Sequence, residues 1–146
     1  MISCTEFIPA YSELFKFLEK KQNKAAVVDF WNYLSDIFLT NLKDQVIENG
    51  IRGCWDYWSK TLKEEAADFT MELDEEAGEF SISMHHCPSK DLLLENKYIE
   101  PYTDYCEHCD ILYRRVLEPL GYLYELDRSQ TDHARCKLRV KTKKRK

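Results

Sequence analysis

The stretch Glu79-Phe80-Ser81-Ile82-Ser83-Met84-His85-His86-Cys87-Pro88 decides the fold class. Side chains alternate across an extended chain with a period of two, so Phe80, Ile82, Met84 and His86 share one face and Ser81, Ser83 and His85 the other. The pattern predicts a half-buried strand over 79–86. Pro88 closes it, because proline has no amide proton for a sheet ladder.

Upstream the period is helical. Within Ala25 to Ile47, Val27, Phe30, Trp31, Leu34, Ile37 and Phe38 recur at steps of three and four, and Leu42 and Ile47 extend the stripe until Gly50 stops it. Tyr11–Lys20 and Trp55–Met71 read as two further helices, so residues from about 10 to 75 form a helical part. The stretch Glu64 to Glu79 holds eight acids and no base. It reads as a helix end running into a solvated connection, since the Asp-x-Asp-x-Asp-Gly pattern of a calcium loop is absent.

Downstream, residues of about 79–140 form a Cys/His-rich, sheet-containing part. A short helix is expected over Ser89–Tyr98 and a better one over Tyr105–Leu117. Asp104 and Glu107 have the spacing of a capping box, and Pro119 and Gly121 end the helix. Tyr122–Leu126 and Ala134–Val140 predict a hairpin. In its second strand Ala134, Cys136, Leu138 and Val140 alternate with basic residues. The expected architecture is α+β, a helical N-terminal half packed on a small, mainly antiparallel sheet with one helix in the C-terminal half.

Composition agrees with a single domain over 1–140 followed by a basic tail at 141–146. The chain has 146 residues, 44% hydrophobic and 32% charged, enough apolar material for a core. With only Gly 4 and Pro 4, a many-turned β-sandwich is disfavoured. The net charge is −5; taking away the five positive charges of the tail leaves −10, which argues against a broad nucleic-acid surface. No apolar run is long enough to span a membrane and no secretory signal is visible, so a cytoplasmic location is expected.

Six cysteines without a signal sequence point away from disulfides. Cys87, Cys106, Cys109 and Cys136 share the second half with all four histidines. On a helix Cys106 and Cys109 lie three apart, and strand alternation sets His85 and Cys87 on one side. These four side chains make a candidate zinc set of three sulfurs and one nitrogen. The bland readings stand beside it. Cys109 falls on an apolar helix stripe, Cys136 on an apolar strand face, and His86 reads as a hydrogen-bonded interior histidine. A thioredoxin-like use of Cys106-x-x-Cys109 is a further option. Cys106 in a first helical turn is also a candidate nucleophile if His85, His86 or His133 folds against it, whereas His108 points elsewhere on the helix. Asp110 either orients a polar ligand or simply bonds Arg114 at i,i+4.

Cys87-Pro88 after a strand, Cys106-x-x-x-Asp110 at a helix start and Thr131-x-x-Ala134-x-Cys136-x-Leu138-x-Val140 at the end resemble the L-2-amino-thiazoline-4-carboxylic acid hydrolase-like family. The resemblance covers roughly residues 79–140. Here His86 replaces an arginine, Ala134 a glycine and Leu138 an aromatic residue. It implies that Cys87, Cys106, Asp110 and Cys136 gather at one site, against the core reading of Cys136.

Two functional classes follow. The first is a small-molecule hydrolase acting on a C–N or C–S bond of a cyclic or amide substrate, with Cys106 as nucleophile or zinc ligand and Asp110 positioning a proton or an amine. The second is a non-catalytic small-ligand or zinc-binding module, its aromatic surplus (Trp31, Tyr33, Trp55, Tyr57, Trp58) lining an apolar pocket. Nucleic-acid binding through the tail ranks last.

Overall fold

The structure is a computed structural model that describes residues 4–143. Four helices come first: α1 (Cys4–Lys21), α2 (Lys24–Phe38), α3 (Thr40–Asn49) and α4 (Arg52–Glu64). Strands β1 (Asp68–Asp74) and β2 (Glu79–His86) follow, then α5 (Pro88–Glu95) and α6 (Glu107–Leu117), then β3 (Tyr122–Asp127) and β4 (Cys136–Thr142). The sheet is antiparallel with order β1-β2-β4-β3, so the fold is α+β as expected. No helix among the described residues is long and apolar enough to cross a membrane.

The single stripe expected over 25–47 is two helices. The break is at Leu39, whose backbone leaves the helical region at φ −100°, ψ 18°. The two pieces face different partners. Val27 and Trp31 pack with Phe15, Leu93, Tyr102 and Tyr105 in one cluster, whereas Leu42 and Val46 pack with Trp58 and the inner sheet face in another. A straight helix cannot present both faces to both cores. Asn23 caps α2 by accepting the Ala26 amide at 3.0 Å, a contact of the kind that contributes about 1 kcal/mol.

The acidic stretch is the larger correction. It is no solvated connection: Asp68–Asp74 is an edge strand in which Phe69, Met71 and Leu73 alternate with acids and Thr70. These three side chains lie on the sheet core. The chain leaves α4 through Ala66 at φ +52° and reverses at Gly78, φ +66°, where a Cβ would sit 2.6 Å from Thr142 Oγ1.

β2 spans the predicted residues, with Phe80 and Ile82 buried inward. His86, expected inside, is instead half-exposed and reaches Asp91 at 3.0 Å. The β3–β4 hairpin forms, but β4 continues to Thr142, so Lys141 belongs to the sheet and pairs with Glu79 at 2.8 Å. The rest of the expected tail beyond 143 lies outside the described residues. The expected capping box does not form either, because the Asp104 and Glu107 carboxylates both hold Lys24, at 2.7 and 2.9 Å. That ammonium also sits 5.0 Å from the centre of the Trp31 ring, a cation–π arrangement.

The helices cover one face of the sheet. Trp58 of α4 stacks on Phe80 of β2, ring centres 5.6 Å apart and planes 12° from parallel. α6 bridges the two clusters. Ser35 Oγ of α2 donates to the Leu112 carbonyl at 2.8 Å, and Arg114 donates to the Tyr124 carbonyl of β3 at 2.7 Å.

Candidate functional site

Between α1, α4, α6 and the inner face of the sheet lies a cavity of about 360 Å³, within the range of small-ligand sites. Its walls are mostly apolar and aromatic: Tyr11 from α1, Trp58 from α4, Tyr113 from α6, and Met84, Tyr124 and Leu138 from the strands. Cys87, Cys106, Cys109 and Cys136 all line it. The grouping that the resemblance implied for Cys87, Cys106 and Cys136 is therefore present. Cys136 faces the cavity rather than closed core.

Each thiol has a structural reason for its place. After His86 the chain leaves the sheet, and Cys87 becomes the residue that precedes α5, its amide donating to the Ala134 carbonyl at 2.8 Å. The departure from alternation turns Cys87 away from the side of His85. Cys106 ends a turn ahead of α6, and Cys109 lies on the first turn of that helix. Cys136 opens β4, just after Ala134, which takes a left-handed φ of +53°. A left-handed position is where glycine is the ordinary choice.

Burial governs the thiols. It pushes Cys106, Cys109 and Cys136 up to about 12, with neighbouring thiols or carboxylates adding to the shift. Cys87 is raised by the same cause, partly offset by the backbone N–H groups of Lys90 and Ser89. The helix-end stabilisation expected for a Cys106 thiolate is outweighed by desolvation.

His108, assigned to another face in the sequence reading, lines the cavity. Its ring is boxed by Tyr11, Phe15, Trp31 and Tyr105, with centres 5.6, 5.9, 6.4 and 4.7 Å away. Burial pushes the imidazole down to about 4, the Tyr105 carbonyl working the other way. Nδ1 bonds that carbonyl, which only accepts, so Nδ1 carries the proton. Nε2 is then the acceptor that faces Cys109 Sγ at 3.5 Å. Thiol and imidazole form a neutral pair.

The remaining candidates fall elsewhere. His85 is exposed and its Nε2 contacts Thr70 Oγ1 at 2.8 Å, across the β1–β2 pair. It does not join Cys87, Cys106 and Cys109, and among the described residues no three His, Cys, Asp or Glu side chains stand close enough to hold a metal ion. The proposed zinc set is not assembled. Asp110 does not line the cavity; Arg114 binds its Oδ1 at 3.1 and 2.6 Å through two nitrogens. This is the plain i,i+4 reading. His86 and His133 are exposed and line no part of the cavity. The sequence matches no protein-family model and no curated protein.

Proposed function

We propose that this domain is a binding module for a small, mainly apolar ligand, held in the cavity between helices and sheet without covalent turnover. The observation that carries the reading is the cavity itself: about 360 Å³ of space walled by aromatic rings and by thiols that burial keeps protonated. A neutral thiol is a small apolar surface, not a nucleophile or a metal ligand. Ordinary core has no such vacancy, because interiors pack to crystal density.

A second reading is the hydrolase acting on a C–N or C–S bond. The thiol–imidazole contact of Cys109 and His108 favours it, as does the resemblance around Cys87 and Cys106. Asp110, engaged by Arg114, is not free to position a substrate amine in that scheme. The two readings separate in one experiment. Wild type, Cys106→Ala and Cys109→Ala are titrated with a panel of small aromatic, aliphatic and thiazoline compounds by tryptophan fluorescence, with product analysis of each mixture. The binding reading expects saturable one-to-one binding in all three proteins and no product. Turnover in wild type that disappears in either folded variant overturns it in favour of the hydrolase. One zinc per chain in protein purified without chelator overturns the account of the thiols as neutral lining.

A further inference from the structure

The cavity is mostly apolar, but Glu65, Lys90, Arg128 and Arg135 join its lining. Lys90 of α5 is only 8% exposed. No carboxylate pairs with it and no side-chain hydrogen bond satisfies it among the described residues. The exposed Arg128 and Arg135, from the connection between β3 and β4, line the same cavity and make no ion pair among the described residues. The bond from Cys87 to the Ala134 carbonyl holds this connection against the start of α5, so the three cations belong to one end. Lys90 and Arg128 both lie near enough to Cys106 for their charges to act on its thiol.

The chain is acidic overall, at −5. Exposed cations such as Lys60 and Arg139 also lack a carboxylate partner among the described residues, but Lys90 is the one charged side chain buried among them. Among the described residues Glu65 is the one carboxylate in the lining, and it makes no ion pair with Lys90. An anion supplied from outside would find these cations without a competing carboxylate, and the apolar wall would take the remainder of such a molecule.

We infer that the ligand is a small amphipathic anion, its negative head at Lys90, Arg128 and Arg135 and its apolar body against Tyr11, Trp58 and Tyr113. The inference rests on the binding reading above and adds the charge of the ligand. Carboxylate and sulfate ester heads share the required chemistry. The test titrates full-length wild type with decanoate, decyl sulfate and decanol, below their aggregation concentrations, by calorimetry. Both anions are expected to bind at least about tenfold more tightly than decanol, with affinity falling as salt rises. Binding of decanoate alone among the two anions identifies a carboxylate head. Lys90→Met is expected to weaken the anions about tenfold to a hundredfold, the range of a charged hydrogen bond, and to leave decanol unchanged. Arg128→Gln, at an exposed position, gives a smaller loss in the same direction and guards against misfolding of the buried variant. Decanol binding as tightly as the anions overturns the charged head while the cavity reading stands. Failure of all three compounds to bind overturns both.

Discussion

Lowering the pH tests the state of His108 directly. In the unfolded chain its imidazole titrates near the ordinary value of 6.5; in the fold burial holds it down to about 4. Protonation therefore favours the unfolded chain across that window. The stability that depends on the neutral ring is complete above 6.5 and is lost progressively as the pH falls from 6.5 to 4. The loss amounts to about 2 kcal/mol at pH 5 and about 3 kcal/mol once the pH is below 4. The assay is urea unfolding followed by tryptophan fluorescence at half-unit steps from pH 7.5 to 4.5, on wild type and His108→Asn. Asparagine preserves a donor toward the Tyr105 carbonyl and cannot titrate. Carboxylates and the exposed histidines change stability in both proteins alike, so the difference between the curves isolates one proton. Its slope reaches at most about 1.4 kcal/mol per pH unit. Parallel curves refute the buried, neutral imidazole and with it the tautomer that aims Nε2 at Cys109.

Further expectations concern the scaffold and the thiols. Gly53→Ala is expected to destabilise by about 2–4 kcal/mol in urea titration, although alanine is the better helix former; an added Cβ would lie 2.3 Å from the Gln45 carbonyl oxygen and 2.6 Å from the Val46 nitrogen, both backbone atoms that cannot step aside. A neutral or stabilising result refutes the close α3–α4 approach. Trp31 is fully buried and its Nε1–H has no partner among the described residues, so Trp31→Phe is expected to stay within about 1 kcal/mol of wild type, the lost packing offset by removal of an orphaned donor. A loss above about 3 kcal/mol shows that the indole N–H is satisfied. With Cys106, Cys109 and Cys136 raised to about 12, iodoacetamide at pH 7.5 is expected to label them about a thousandfold more slowly than an ordinary thiol. Mass-spectrometric mapping before and after urea checks this, and rapid labelling of folded protein at Cys106 revives the nucleophile.

The parts of the fold written in local periodicity were readable. Residues 79–86 and 136–140 alternate cleanly, and both are strands because only one of their faces meets the helices. Phe69, Met71 and Leu73 alternate too, but Phe69 also continues the helical spacing of Trp55, Trp58 and Leu62, and the surrounding acids suggested solvent. The true signal was the exchange of one period for another at Ala66. The break at Leu39 left no glycine or proline behind; it arises from a demand for two packing partners, which is tertiary information. At the site, Asp110 with Arg114 was legible as an i,i+4 pair. His108 was not, because three of the rings that enclose it (Tyr11, Phe15 and Trp31) come from helices far earlier in the chain. Nothing local marks Lys90, because its burial comes from elements distant in the chain.

The division of the hydrophobic interior also bears on exchange with solvent. α1 contributes Tyr11 to the cavity wall, yet its buried Phe15 belongs to the smaller cluster, apart from the sheet. Swinging that helix outward would break contacts with α2, α5, the 102–105 turn and His108 of α6 while the strands and α4 kept their packing. A guest could thus come and go through transient departures of one amphipathic rod, with hydrogen-exchange protection falling along α1 and persisting in β2 and β4.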